Sequence, residues 1–441
     1  MKPARAKLNW FSPVPPARTD IAHYTGRILD ELRAGAEVSL WTADEKPPAE
    51  VDGLPVNHVQ TLHERWPEVS FGDFSVYQLG NDPRFHGAFF RQLGQHGGVA
   101  VLHDLNCHEA LRQHFLYGTH PEPRRYEAML SAAGGAEAVD LARQIEHGGD
   151  LDALVDRFPL TRELLQGVHG VVTHNAANLP ALEAGTRAPI QVLPLPFPAR
   201  HVAPEPAPRA FSARAPLRVV MLGYLQSPNR RLHAVLEALA AFSRRECLRL
   251  ELAGEIKEID AFRAKIHELG IGDLVKFHGF LPEAALRDWL DAADLALNLR
   301  YPSRGEASGA LLRLWEHAVP TVVTQTAYYA TLPPETVAFV DPANEQADLH
   351  RHWAAMLDDP APYVARGRAG RARLETVHQP RSYVAGLLDF LCGPVAAYRG
   401  RAFAEPMAAR VARQTLAGWE DASARKYATA RVAHELASWV G

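Results

Sequence analysis

Leu295-Ala296-Leu297-Asn298-Leu299 is an apolar run that ends in Arg300-Tyr301-Pro302-Ser303-Arg304-Gly305-Glu306-Ala307-Ser308-Gly309, and Ala310-Leu311-Leu312-Arg313-Leu314-Trp315-Glu316-His317-Ala318 follows at once. The first run reads as a buried strand, the second as a polar loop, and the third as a helix with Leu311, Leu312 and Trp315 on its buried face. Ser308 is a good N-cap, and Gly309 lets another group approach the backbone closely. The first turn of such a helix carries unpaired N–H groups and the positive end of a dipole, which together suit a phosphate. Glu306, just before that turn, is the wrong charge for phosphate and is placed instead to meet hydroxyls or a developing cation. A ligand with phosphate beside hydroxyls is a nucleotide-sugar. Taken alone, the segment reads equally well as an ordinary strand–loop–helix, so the surrounding chain has to decide.

Working outward, the same alternation recurs. Leu217 to Leu222, Leu248 to Leu252, Val275 to His278, Thr321 to Thr324 and Val337 to Val340 are short apolar strands separated by helical segments. The first half repeats the pattern at Leu8 to Ser12, Glu37 to Trp41, Phe74 to Leu79, Val99 to Leu102, Gly170 to Thr173 and Ile190 to Leu193. Short apolar strands alternating with helices argue for parallel, doubly wound α/β sheets. The expected organisation is an N-terminal Rossmann-like domain over 1–200 with a helical insertion at about 106–165, and a Pro-rich linker over 201–216. A C-terminal Rossmann-like nucleotide-sugar domain over 217–380 follows, then C-terminal helices over 381–441 that pack back across the N-terminal domain. Two such domains are expected to face each other across a cleft, with ligands at the carboxyl ends of the strands.

Composition narrows the function classes. The chain has 441 residues, 47% hydrophobic and 22% charged, with a formal net charge of −4, a balance that does not mark a nucleic-acid binder. No stretch reaches about 18 consecutive apolar residues, and Met1 to Lys7 lacks a signal-peptide core. Cys107, Cys247 and Cys392 are far apart and the histidines lack zinc-ligand spacing, so no metal is expected. No Gly-x-x-x-x-Gly-Lys loop or dinucleotide fingerprint is present. A cytoplasmic setting is expected, with peripheral contact at the inner face of a membrane and the oligomeric state left open.

Several segments together resemble a known family. Gly223-Tyr224-Leu225-Gln226-Ser227-Pro228-Asn229-Arg230-Arg231, Leu252-Ala253-Gly254-Glu255, Phe277-His278-Gly279-Phe280-Leu281, Ala292-Ala293-Asp294-Leu295 and Ala318-Val319-Pro320-Thr321-Val322-Val323 occur in order around the Gly305-Glu306-Ala307-Ser308-Gly309 loop. In the first half, Ser12-Pro13-Val14-Pro15-Pro16, Ile21-Ala22-His23-Tyr24, Gln78-Leu79-Gly80-Asn81 and Val101-Leu102-His103-Asp104 match as well. Over roughly residues 8 to 390 the chain resembles the retaining, nucleotide-sugar-dependent GT-B glycosyltransferases of group 1 (family 4), in particular a bacterial surface-polysaccharide branch. It departs from the family's pattern at three places. The second of the family's two donor glutamates falls on Arg313, with Glu316 about one turn later. Thr19-Asp20 stands where a small residue is usual, and Tyr224 stands where many relatives carry a basic residue.

The resemblance implies roles residue by residue. Gly223, Arg230, Arg231, Phe280, Leu281, Ser308, Gly309 and Arg313 would contact the donor. A guanidinium fork at Arg230 or Arg231 suits phosphate oxygens, although both are equally readable as a solvated helix start. His103 and Glu306 would be catalytic; the alternatives are a structural histidine and a loop carboxylate paired with Arg300 or Arg304. Thr19, Asp20, Asn81 and Asp104 would contact acceptor or sugar. Asn81 also reads as a turn residue, and Asp20 as a helix N-cap or as the base of an inverting enzyme.

The implied activity is metal-independent, retaining hexosyl transfer in polysaccharide biosynthesis. The donor would be a GDP-, UDP- or dTDP-sugar and the acceptor a glycan, a lipid-linked glycan or a protein. No further cofactor is expected. Two other classes stay open: a sugar-nucleotide epimerase of the same fold, and a non-catalytic GT-B binding or scaffold protein.

Overall fold

Runs such as Val99-Ala100-Val101-Leu102 and Thr321-Val322-Val323-Thr324 are buried along their whole length, which happens to parallel strands covered on both faces. The structure is a computed structural model, and it describes residues 5–17, 19–65, 69, 74–202, 204–205, 207–225, 228–256 and 259–401. Contacts divide the described residues into two units: those within 5–173, 179–193 and 383–401 form the first, and those within 174–178 and 194–382 the second.

The strands of the first unit are β1 (Ala6–Phe11), β2 (Ala36–Thr42), β3 (Glu50–Val51), β4 (Leu54–His58), β5 (Phe74–Leu79), β6 (Val99–Leu102), β7 (Gly170–Thr173) and β8 (Ile190–Val192). They lie in the order β3-β4-β2-β1-β5-β6-β7-β8. All neighbours are parallel except the short β3–β4 hairpin. The second unit holds β9 (Leu217–Leu222), β10 (Leu248–Ala253), β11 (Val275–Gly279), β12 (Leu295–Asn298), β13 (Thr321–Thr324) and β14 (Ala338–Val340) in the fully parallel order β11-β10-β9-β12-β13-β14. In each sheet the order reverses once, between β1 and β5 in the first and between β9 and β12 in the second. Loops leaving adjacent strands there depart toward opposite sides and open a crevice at the carboxyl ends.

Local sequence sets the helix starts. Ser308 caps the helix Gly309–Glu316 by accepting from the Leu311 N–H at 3.1 Å, as the sequence predicts. Asp82 caps Pro83–His96 with proline in the first turn, where its missing N–H costs nothing. One cap differs from expectation. Thr19, not Asp20, caps Asp20–Gly35: Thr19 is extended and its hydroxyl accepts from the Ile21 N–H, while Asp20 is the first helical residue and exposes its carboxylate at the positive helix end.

Between β6 and β7 run the helices His108–Tyr117, Pro123–Ile145, Leu151–Arg157 and Thr161–Leu164. The long member is broken at Gly134-Gly135, where Gly135 takes a positive φ. The domain boundary read near residue 200 falls between Leu193 and Pro194. The Pro-rich 201–216 stretch belongs to the second unit because side chains fasten it there. Glu316 accepts the N–H groups of Arg200 and His201, and Arg209 pairs with Asp294. Residues 383–401 pack in the first unit; a Cβ on Gly35 would meet Leu388, and one on Gly170 would meet Val395 and Phe390. The remainder of the expected C-terminal helices, 402–441, lies outside the described residues. No helix among the described residues is long and apolar enough to cross a membrane.

The first core stacks Phe11 between Trp41 and Tyr77, with ring centroids 5.6 and 4.4 Å away. The second is built on Val219, Leu236, Leu250, Leu297 and Trp353. Trp315 is fully buried, and Gly370 lies so near its indole that a Cβ there would sit 2.3 Å from the ring. On the same helix, a Cβ on Gly367 would lie 2.0 Å from the Ala318 carbonyl oxygen, a backbone atom that cannot rotate away. Gly367→Ala is therefore expected to cost about 1–3 kcal/mol, read as a lower urea midpoint with unchanged slope; an unchanged midpoint would refute the packing.

Burial pushes His86, His108, His114, His169 and His378 down to about 4. Unfolded histidines take up a proton near a pH of about 6.5. The folded form, which resists protonation, thus has its full advantage above that pH and loses it as pH falls toward 4. Urea midpoints should decline steadily between pH 6.5 and 4.5, and a flat profile over that window would contradict these burials.

Candidate functional site

In the second unit the loops after β9, β10, β11 and β12 carry the sequence-selected residues. Gly223 follows β9 and its N–H donates to the Ala253 carbonyl; the Gly254 N–H donates to the Gly279 carbonyl. Gly254 has a φ of +131°, and a Cβ there would lie 2.0 Å from the Gly223 oxygen, so only glycine permits these two strand ends to close together. Arg230 comes back to the same point, its Nη2 3.5 Å from where a Cβ on Gly223 would be. The structure thus brings Arg230 to Gly223. Arg231 is used differently: it starts the helix Leu232–Ala241 in the left-handed region, and its guanidinium grips buried Glu345 at 2.7 Å. The Glu345 side chain raises the Arg231 pKa further above its ordinary value.

The β12 loop joins this group through the Tyr301 N–H, which donates to the Asn229 carbonyl at 2.8 Å. Glu306 is 7% exposed. Its carboxylate accepts from Arg300 Nη1 at 2.7 Å, from the Arg304 N–H at 2.7 Å and from the Ser303 hydroxyl at 3.3 Å. In this state it is the paired loop carboxylate, the second of its two sequence readings. Ser308 accepts from Asn298 Nδ2 at 2.9 Å while capping the helix, so the strand end and the helix start are tied by one hydroxyl. The N–H groups of Gly309 and Ala310 follow in the first turn, beyond the reach of intrahelical carbonyls.

The two departures on this helix turn away from its first turn. Arg313 donates to Glu283 at 2.6 Å, and Glu316 is buried against the Arg200 and His201 N–H groups. Neither offers a carboxylate to the loop, since one is a cation already paired and the other is committed to backbone. Phe280 is 76% exposed just past β11, whereas Leu281 packs on the cluster of Val220, Ala253 and Leu290. Phe280, Tyr224 and Tyr301 are exposed aromatic groups, and all three sit on loops at the carboxyl edge of this one sheet.

Two residues absent from the sequence reading shape the loop. Asn175 and Asn178, both buried, donate to the Gly305 carbonyl at 3.3 and 2.8 Å. They lie on the 174–178 segment, which follows β7 but belongs to the second unit. Gly305 has a φ of +84° and its N–H donates to the Ser303 hydroxyl, so the peptides on both sides of Gly305 are held immediately before Glu306. The available signal was Asn-Ala-Ala-Asn directly after an apolar strand, where polar side chains cluster at the carboxyl end.

In the first unit His103 follows β6. Its N–H donates to the Leu79 carbonyl and its Nε2 lies 2.9 Å from Gln78 Oε1. The edge of its ring meets buried Tyr24 at 4.8 Å, and the Tyr24 hydroxyl in turn contacts that of Tyr383. Burial raises the Tyr24 pKa well above its usual value. Gln78, fully buried, also carries His86 on its backbone carbonyl at 2.8 Å. Gln78 and Tyr24 therefore orient His103, a role that the sequence alone did not assign. Asn81 and Asp104 meet each other: the Asn81 N–H donates to the Asp104 carboxylate at 2.9 Å, and Asn81 Oδ1 accepts from the Ala110 N–H at 3.0 Å. In this state Asn81 acts as a turn residue. Thr19, which ends the loop after β1, and Asp20, which opens the next helix, lie at the order reversal that Gly80 and Asn81 flank from β5.

No protein-family model matches the chain, and no curated protein matches it. Solved structures do. Sucrose-phosphate synthase from Thermosynechococcus elongatus superposes with a TM-score of 0.58 at 14% identity, over 87% of this chain and 97% of that one. HepE of Anabaena, solved in complex with UDP, gives 0.53 at 14% identity over 88% and 99%. WaaG, a glycosyltransferase involved in lipopolysaccharide biosynthesis, gives 0.53 at 15% identity over 88% and 100%. This chain has the two-domain GT-B fold. If the asparagine pair holds the Glu306 loop, Asn178→Ala should remove about 1 kcal/mol and speed amide exchange of residues 303–308 by roughly fivefold; exchange at the wild-type rate would show the clamp to be idle.

Proposed function

We propose that this protein is a glycosyltransferase that moves a hexose from a nucleoside-diphosphate sugar to a glycan, a lipid-linked glycan or a protein, with retention and without a metal in the reaction. The observation that carries the reading is the meeting, at the order reversal of the second sheet, of a glycine-and-arginine loop with an N-capped helix whose preceding loop holds Glu306. UDP bound in HepE and the involvement of the glycosyltransferase WaaG in lipopolysaccharide biosynthesis support the same reading.

Breaking a glycosidic bond to a diphosphate leaves charge on a phosphate oxygen. Arg230 and the N–H groups of Gly309 and Ala310 are preorganised positive groups suited to that charge. The Ser308 cap occupies the Leu311 N–H and so directs the ligand to the two N–H groups before it. Glu306, held by Arg300 and the Arg304 N–H, would take up sugar hydroxyls with its remaining acceptor capacity and stabilise oxocarbenium-like charge. His103, its Nε2 held by Gln78, would contact the donor sugar, and Asn81, Asp104, Thr19 and Asp20 the acceptor side. The departing phosphate accepts the acceptor hydroxyl's proton, which leaves Asp20 no basic role. The setting would be cytoplasmic, consistent with three free cysteines.

A second reading, a non-catalytic GT-B binding protein, draws on the pairing of Arg231, Glu306 and Arg313 with neighbours in their own unit. A thermal-shift panel of GDP, UDP, dTDP, ADP and CDP, each with magnesium and with EDTA, separates the two. One diphosphate should stabilise the protein in EDTA, and Arg230→Ala should abolish the shift. With the matching sugar donor, Glu306→Gln should still bind but turn over about 100- to 1,000-fold more slowly. A folded protein silent across the panel would sink the transferase reading, and donor conversion with no acceptor would turn it toward an epimerase.

A further inference from the structure

At the far end of the helix Gly309–Glu316, about 12 Å from Ser308 by its rise per residue, three polar side chains from distant parts of the chain converge. His201 Nε2 lies 2.9 and 3.0 Å from the two oxygens of Asp291, and His317 Nδ1 lies 2.6 Å from Asp291 Oδ1. The donor atoms all fall within 4.8 Å of one another. The two imidazoles overlap at 4.4 Å between centroids, tilted by 32°, so both present a nitrogen to the same carboxylate. His317 is fully buried at the side chain, while His201 and Asp291 are about a fifth exposed, which leaves one side open to solvent.

We propose that His201, Asp291 and His317 form a binding site for a divalent cation of the zinc class, with water in the fourth position. Two imidazole nitrogens and one carboxylate oxygen are the donor set such cations take, and three protein ligands leave one position open. Magnesium and calcium prefer oxygen alone, so the site selects against them. Binding is dative and involves no oxidation. Each histidine stays neutral, gives a ring lone pair to the cation, and carries its one proton on the nitrogen facing away.

The backbone around His201 is already fixed for this. Glu316 Oε1 accepts the N–H groups of Arg200 and His201, at 2.9 and 3.1 Å. Arg371 donates to the carbonyls of His201 and Glu316, both at 2.8 Å. A cation here would fasten the Pro-rich stretch to the ends of two helices, Glu283–Asp291 and Gly309–Glu316. The His317 Nε2 is buried without a partner. A proton placed there has no acceptor, which sets the affinity below that of closed four-ligand zinc sites. Ligands at 201, 291 and 317 have no local spacing, which is why no motif marks them in the sequence.

The test uses the full-length protein, stripped with EDTA and dialysed. Wild type should bind one equivalent of Zn2+ per chain by elemental analysis after gel filtration in micromolar Zn2+, and Co2+ should give the visible absorption of a nitrogen- and oxygen-ligated ion. Zn2+ should raise the melting temperature, and Mg2+ and Ca2+ should not. His201→Ala and Asp291→Asn, both at partly exposed positions, should each weaken binding by more than about tenfold and lose the Zn2+-dependent shift, while circular dichroism in EDTA shows both folded. Binding and shift unchanged in both variants would place the metal on other histidines of the 21 in the chain and overturn the proposal. Folded wild type that binds no equivalent would reduce the cluster to a hydrogen-bonded triad and overturn it as well. Neither result bears on nucleotide binding, which is read at the opposite end of the helix.

Discussion

The central strands of both sheets are parallel and buried on both faces, and most of the site follows from that constraint. A side chain along β6, β7, β12 or β13 has no route to solvent, so polar chemistry is confined to the segments where the strands stop. Where the strand order reverses, neighbouring loops leave in opposite directions and the sheet edge itself becomes accessible. Gly223 and the Glu306 loop flank one reversal; Thr19-Asp20 and Gly80-Asn81 flank the other. His103, one strand further on, rests on Gln78 of β5. Within each unit the candidate residues are thus neighbours because of hydrogen-bond register, although they are far apart in the chain.

What holds these loops still is a set of buried ionic and amide contacts. Glu306 is nearly inaccessible and is matched by Arg300, Arg304 and Ser303. A buried charge of this kind contributes little net stability, but deleting one partner leaves the other uncompensated. Such an arrangement favours one loop geometry over many. The asparagines on the Gly305 carbonyl act in the same direction, and Arg231 with Glu345 does so on the adjoining loop. A site that must place donors around a charge developing during reaction gains from that rigidity, because reorganisation is completed during folding.

The alternation of apolar strands and helices, the Ser308 cap and the Gly-Glu-Ala-Ser-Gly loop were all legible in the residues, because each depends on local pattern. Thr19 displaced Asp20 as a cap because two adjacent good capping residues compete, and the entry angle of the chain, a tertiary matter, decides between them. The partners of charged groups were the least legible. Arg231 and Glu345, or Arg313 and Glu283, are joined by folding across long stretches of chain, and no spacing rule connects them. Asn175 and Asn178 were missed for a related reason: their carbonyl partner lies in a loop more than a hundred residues later.

The return of residues 383–401 to the first unit has a consequence for synthesis. Leu388 packs against Gly35, and Phe390 and Val395 pack against Gly170, so the unit begun first lacks part of its own packing until residues 383–401 have been made. The second unit, apart from its 174–178 segment, is continuous from 194 to 382 and has its whole sheet in hand earlier. The half begun first is therefore the half completed last. During that interval its aromatic core waits on the C-terminal segment, and a nascent chain stalled before residue 383 would expose the surfaces at Gly35 and Gly170 to whatever binds unfinished proteins.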